Sequence, residues 1–300
     1  MSFRLLLALL LTQGGSLLDQ GRRFLEERNL PAAERVFRGL VAQNPEDSRA
    51  NYFLGLTLSR QNRTEEAIFV LEKARDSATR PNPTILFELG TAYSREKRWK
   101  EAEEALQMAT ELAPAEIGMR LQLGWVYYSS VQGEKARAEF EKVIETSPSA
   151  PAWLYLGLTE IGLGENEPAI RALGEALALA PDLLEAQLAL GKTLARAGRD
   201  EEAKPVLLRA LEIDAGAAEA HFQLGLVALR SGNPEAARTA FREAVEAEGD
   251  HMQAWYNLAL VAERLGRGEE ARSAWKRVED LRASGAWEPE AARRTRAKNP

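Results

Sequence analysis

The stretch AEAHFQLGLVALRSGNPEAARTAFREAVEAEGD, residues 218–250, carries three marks that decide the fold: Leu224-Gly225, Ala237 and Phe241. A glycine within a helix-forming run costs up to about 1 kcal/mol relative to alanine, so its recurrence needs a reason. Working outward, the pair returns as Leu54-Gly55, Leu89-Gly90, Leu123-Gly124, Leu156-Gly157 and Leu190-Gly191, and Leu258-Ala259 continues it; the spacings are 35, 34, 33, 34, 34 and 34 residues. Twelve residues after each glycine or its substitute stands Ala67, Ala102, Ala136, Ala169, Ala203, Ala237 or Ala271. Four further on comes Leu71, Leu106, Phe140, Leu173, Leu207, Phe241 or Trp275. One more copy upstream has Gly21, Ala33 and Phe37, and prolines such as Pro45, Pro114, Pro148 and Pro181 close several copies.

Self-similarity at this period marks a stacked supersecondary unit. Eight units begin near Gly14, Ser48, Pro83, Ile117, Ala150, Leu184, Ala218 and Met252. Each reads as a helix of about 14 residues, a short turn that often holds glycine (Gly164, Gly198, Gly232, Gly266), and a second helix of similar length. At 1.5 Å per residue each helix is roughly 20 Å long. The small residues allow close helix approach. The large ones, such as Leu71, Phe140 and Phe241, are expected to fill the space between successive helix pairs, each unit touching only its neighbours. Two junctions break the period: Arg80-Pro-Asn-Pro83 carries an extra residue and the one at Pro148 is a residue short, so superhelix geometry is least determined there.

The pattern resembles the tetratricopeptide repeat, with its aromatic-x-x-Leu-Gly-x-x-Tyr first half and Ala-x-x-x-Phe…Pro second half. Trp255-Tyr-Asn-Leu258 is the fullest copy of the first half, although Ala259 replaces the glycine and Ala262 the tyrosine; Tyr93 and Tyr127 retain the tyrosine. The resemblance covers residues 14–283. It implies an all-α, right-handed α-solenoid of about eight helix-turn-helix units, about sixteen helices, with a concave groove lined by first helices. In that groove it places Tyr52, Phe87, Leu121, Leu154, Phe222 and Tyr256 at the fifth position of their units, Trp125 at the ninth and Tyr128 at the twelfth. Leu121, Trp125 and Tyr128 follow i, i+4, i+7 spacing and share a helix face. The thirteenth position is Arg60, Arg95, Arg196, Arg230 and Arg264 in five units. A cation near a helix C-terminus is favoured by the helix dipole; the other reading is an arginine ladder for an acidic partner. Chaperone-adaptor members of the family use lysine at the fifth position and asparagine at the ninth, a pair this sequence lacks.

Composition narrows the chemistry. The 39 basic and 45 acidic residues give a net charge of −6 with the signs interspersed, which leaves no broad positive face for nucleic acid. There is no cysteine, hence no disulfide, thiolate metal site or cysteine nucleophile. His221 and His251 do not make a metal or catalytic set by themselves. Gly191-Lys-Thr193 imitates the end of a phosphate-binding loop, but Ala186 stands where that loop needs glycine, and Gly191 is the repeat glycine. Acidic pairs such as Glu103-Glu104 and Glu269-Glu270 read as solvated helix faces. No cofactor or metal is expected.

The chain opens with Met1-Ser-Phe-Arg4 and an apolar run from Leu5 to Leu11, so residues 1–13 read as an export leader or as the apolar face of a first helix. No other run approaches the roughly 20 apolar residues a membrane span needs. Residues 284–300 drop the period and carry Arg293, Arg294, Arg296 and Lys298, reading as a polar cap or a basic recruitment segment. The expected function is a non-catalytic scaffold that holds a peptide or helical segment of a protein partner, in the periplasm or outside the cell if the leader is exported and otherwise in the cytoplasm. The alternative is the recognition subunit of an envelope enzyme or assembly complex whose active site lies on another chain. Homo-oligomerisation through the terminal repeats is a third reading.

Overall fold

A computed structural model describes residues 16–284. The leader expected at 1–13 and all but the first residue of the 284–300 tail lie outside the described residues. Sixteen α-helices run through the described residues, and no strand occurs among them. They form hairpins: α1 Leu17–Glu26 with α2 Leu30–Gln43, α3 Ser48–Arg60 with α4 Thr64–Asp76, α5 Pro83–Arg95 with α6 Trp99–Leu112, and α7 Ile117–Ser129 with α8 Gly133–Thr146. Then follow α9 Ala150–Leu163 with α10 Asn166–Leu179, α11 Leu184–Arg196 with α12 Asp200–Ile213, α13 Ala218–Arg230 with α14 Pro234–Ala247, and α15 Met252–Arg264 with α16 Gly268–Ala283. From the second hairpin on, first helices begin at the residues that divide the sequence repeat. The first begins at Leu17 because Ser16 caps it: Ser16 Oγ accepts from the Asp19 N–H, and the Asp19 carboxylate accepts from Ser16 in return.

The hairpins group into two compact units that divide between Pro148 and Ser149, four hairpins in each. The short junction at Pro148 is that boundary. Within each unit a helix packs on its hairpin partner and on the helix that follows it. The core of residues 16–148 includes Phe37, Leu54, Leu58, Leu71, Leu89, Leu106 and Phe140, all at most 2% exposed. That of 149–284 runs through Leu173, Leu207 and Phe241, each 0% exposed.

The repeat glycine has a more local explanation than the sequence suggests. The large residue sixteen positions later lies directly across its own hairpin, on the glycine, and also serves the space between hairpins, as where Phe37 stacks on Phe53 of the next one at 5.5 Å. A Cβ on Gly55 would fall 2.5 Å from Leu71 Cγ, one on Gly124 2.7 Å from Phe140 Cε1, and one on Gly157 2.6 Å from Leu173 Cγ. Close packing leaves no room for a methyl group there.

Each hairpin turns through one residue in the left-handed region. In residues 149–284 these are Gly164, Gly198, Gly232 and Gly266, with φ from 70° to 88°. In residues 16–148 the same place holds Arg28, Asn62, Lys97 and Val131, at φ 58°, 61°, 57° and 62°. The backbone bonding is alike in both sets: Asn233 N–H reaches Ala228 O at 2.9 Å as Gln132 N–H reaches Tyr127 O at 2.8 Å. This closure satisfies the orphan carbonyls at the end of the first helix, so its geometry persists even without glycine.

Candidate functional site

In residues 16–148 three consecutive first helices, α3, α5 and α7, carry Tyr52, Phe87, Leu121, Trp125 and Tyr128, all half-buried. Their backing is visible. The Trp125 indole meets the Trp99 indole of α6 edge to face at 6.1 Å between centroids. Phe87 packs on a buried cluster that contains Leu86, Ala109 and Met119. Tyr52 lies edge-on to Phe53 at 5.0 Å. These rings are therefore held in place by packing rather than free to reorient, and each still keeps surface to offer.

Two polar groups belong with them: Glu88, which the sequence reading missed, and Thr91, at the ninth position of its unit. Glu88 follows Phe87 on α5, and burial raises its carboxyl above the ordinary range, while the charges of Arg60 and Arg95 work in the opposite direction. Burial also raises the Tyr52 phenol, and the Glu88 charge adds to that rise. One turn beyond Phe87, the Thr91 Oγ1 is buried with no hydrogen-bond partner. Thr57, Thr159 and Thr193 each donate to the carbonyl four residues earlier, at 2.7, 2.6 and 2.7 Å. Thr91 stands one position earlier in its unit than they do, at the ninth.

In residues 149–284 the expected positions divide. Leu154 and Phe222 are corrected: they are 4% and 6% exposed and belong to the core. Phe222 packs on Phe241 at 5.8 Å and on the His251 ring at 4.9 Å. Packing inside the chain takes up the surface of these two side chains and leaves none for a partner. Tyr256, by contrast, is 42% exposed and meets Trp275 edge to face at 5.2 Å.

Four of the thirteenth-position arginines are engaged within the chain, each reaching back to the preceding hairpin. Arg60 Nη1 donates to Leu25 O at 3.2 Å, and Arg95 Nη1 to Ser59 O and Oγ at 3.3 and 2.9 Å. Both thereby cap carbonyls in the last turn of the preceding first helix. Arg196 donates to Asn166 Oδ1 at 2.8 Å. Arg230 grips Asp200 with two nitrogens at 2.6 and 2.8 Å and holds that carboxyl below its usual range. Arg264 lies in the last turn of α15.

A second set of charges, at the N-cap or in the first turn of second helices, also links hairpins. Arg63 reaches Glu34 at 2.8 Å, Lys135 reaches Glu103 at 2.8 Å, Arg199 reaches Glu167 at 3.1 Å and Arg267 reaches Glu235 at 3.2 Å. The sequence signal for them is a basic residue one to four positions after the left-handed turn residue and an acidic one 29 to 32 residues earlier.

Among the described residues no group of three or more acidic or histidine side chains is placed to hold a metal ion, and no helix is long and apolar enough to cross a membrane. His251 Nδ1 accepts from the Ala254 N–H and so caps α15, and His221 Nε2 faces Ala215 O at 3.0 Å.

A family model described as tetratricopeptide repeat matches residues 18–79, 56–117 and 222–286, and a second of the same description matches residues 160–225. Among solved structures, the C-terminal part of a TPR repeat-containing protein from Cytophaga hutchinsonii is similar with a TM-score of 0.66 at 17% identity, over 80% of this chain and 99% of that one. A tetratricopeptide repeat protein from Parabacteroides merdae is similar with a TM-score of 0.58 at 18% identity, over 82% of this chain and 97% of that one. MamA protein is similar over 57% of this chain and 94% of that one, with a TM-score of 0.53 at 24% identity. No curated protein matches the sequence significantly.

Proposed function

The chain belongs to the tetratricopeptide-repeat family, and from that premise we propose that it is a protein-interaction scaffold whose first-helix face in residues 16–148 holds an extended or helical segment of a partner protein. The observation that carries this reading is the set Tyr52, Phe87, Leu121, Trp125 and Tyr128, half-buried on three successive helices and fixed from behind by rings such as Trp99. Rigid aromatic anchors lose little conformational entropy on binding and dominate interface energies. The Glu88 carboxyl and the buried Thr91 hydroxyl supply unspent polar positions beside them. The reading assigns the chain no chemistry of its own.

The test is affinity capture from envelope and cytosolic extracts with wild type beside a Phe87→Ala, Trp125→Ala, Tyr128→Ala variant of unchanged helicity. A partner recovered by wild type and lost by the variant supports the site, and equal recovery by both overturns it. The compartment of that partner bears on the second part of the proposal, that residues 1–13 direct export to the periplasm. N-terminal sequencing of the mature protein checks it, since an intact Met1 end contradicts export.

A further inference from the structure

Glu88 is a half-buried carboxyl that no described residue pairs with. Glu34, Glu103, Glu139, Asp200 and Glu270 keep 12–25% of their side chains exposed, and each holds an arginine or lysine nitrogen at 3.0 Å or less. Glu88 feels burial and the charges of Arg60 and Arg95, but it has neither a hydrogen bond nor an ion pair among the described residues. A carboxylate taken from water without a donor carries an uncompensated cost. Arg60 and Arg95 stand at the thirteenth position of their units and Glu88 at the sixth, so they lie about 10 Å further along their helix axes. Their Nη1 groups are also bonded elsewhere, to Leu25 O and Ser59 O.

The same unit shows twice what completes such a group. Lys135 Nζ pairs with Glu103 at 2.8 Å and lies 5.1 Å from the centre of the Tyr127 ring. Glu72 accepts from the Tyr93 hydroxyl, and the Arg98 guanidinium lies over the Tyr93 ring at 4.4 Å. In both places a carboxylate, a phenol ring and a cation meet, the cation drawn by the opposite charge and by the negative face of the ring. At Glu88 two of these three members are present. Helices α3 and α5 touch, and Tyr52 stands close enough across them for the Glu88 charge to raise its phenol. Phe87, the residue before Glu88, adds a second half-buried ring. No described residue supplies the cation.

We propose that the partner segment held on this face presents a lysine or arginine side chain, whose cation pairs with the Glu88 carboxylate and lies against the Tyr52 and Phe87 rings. The inference rests on the partner face proposed for residues 16–148 and names the chemistry of its occupant: a basic residue for Glu88, with apolar neighbours for Leu121 and Trp125 on the next first helix. The carboxyl then regains on binding the partner that the fold withholds from it, so the basic residue contributes specificity as well as affinity.

The test selects a phage-displayed library of random dodecapeptides on the full chain, on Glu88→Gln, on Glu88→Lys and on the Phe87→Ala, Trp125→Ala, Tyr128→Ala variant, each of unchanged helicity. Peptides that bind wild type and fail on the triple variant use this face, and they should share a lysine or arginine. Made synthetically, they should bind Glu88→Gln roughly tenfold or more weakly. Replacing their basic residue by glutamine should cost as much, and the two changes together should weaken binding no further than either alone. Glu88→Lys should select aspartate or glutamate in that place. Face-dependent peptides that share no basic residue, or that bind Glu88→Gln as well as wild type, overturn this inference and leave the partner face standing; a library that yields no face-dependent peptide overturns both. The free chain gives a second readout. An unpaired carboxyl does not hold the fold together, so Glu88→Gln should leave the urea midpoint unchanged or raise it, and a lowered midpoint overturns the inference because Glu88 then has a partner inside the chain.

Discussion

Val131 holds φ at 62° with 87% of its surface exposed. A β-branched side chain in the left-handed region crowds its own backbone, at a cost of roughly 1–2 kcal/mol, and solvent on every side gives nothing back. Val131→Gly is therefore expected to raise stability by about 0.5–1.5 kcal/mol, the glycine's larger unfolded-state entropy offsetting part of the relief. A urea midpoint unchanged or lowered would contradict this. The opposite logic holds at Gly225, where an added Cβ collides with the Phe241 ring. Gly225→Ala should cost about 1–3 kcal/mol through overpacking. In Phe241→Ala the collision is gone, so the double variant should be less destabilised than the sum of the singles, and strict additivity in denaturant midpoints would refute the contact. The period of the sequence reveals the glycine and the large residue sixteen places on, but it does not say that they touch. The left-handed turns at Arg28, Lys97 and Val131 leave no sequence signal, since the closure bonds that impose them come from the backbone.

At the scale of elements, hairpins are tied by charge as well as by packing. Burial pushes the Glu34 carboxyl up, but hydrogen bonds from Arg38, Arg63 and Gln61 outweigh it and hold it at about 2, against 4.5 for an ordinary glutamate. The ionised form is thus favoured in the folded chain. Its contribution is complete above pH 4.5 and is lost as the pH falls toward 2. Because its partners Arg38 and Arg63 are 47% and 36% exposed, screening reduces that contribution to on the order of 1–2 kcal/mol. Glu34→Gln should be less stable than wild type at pH 7 and should lose less stability between pH 5 and pH 3, a comparison that denaturation at the two pH values makes directly. Equal losses in both proteins would contradict the bridge. Sequence reading found the thirteenth-position arginines and left two roles open for them; the bonds of Arg60, Arg95, Arg196 and Arg230 show that their donors are engaged inside the chain. The ladder of Arg63, Lys135, Arg199 and Arg267 at the start of second helices escaped notice because its partners lie 29 to 32 residues away, a distance that acquires meaning only once the hairpins stack.

At the scale of the whole molecule, the eight hairpins were legible from seven recurrences of one small residue; the division between Pro148 and Ser149 was not, because the sequence shows two irregular junctions and nothing in it singles out the one at Pro148 as a boundary. Which groove positions keep exposed surface was not: Leu154 and Phe222 occupy the same register as Tyr52 and Phe87, and only their neighbours' side chains decide that they are buried. Residues 1–148 and 149–300 each enclose their own core, so the two fragments should each retain helical circular dichroism and a cooperative urea transition; a fragment without either would contradict the division. The central claim is that the first-helix face of residues 16–148 is where a partner is held. Its most direct test places a photo-crosslinking phenylalanine analogue at Phe87, at Tyr128 or, as a control, at Phe69, which is 58% exposed on the second helix α4. The account predicts that the same partner is captured from positions 87 and 128 and not from 69, whereas capture from 69 alone, or equally from all three, would contradict it.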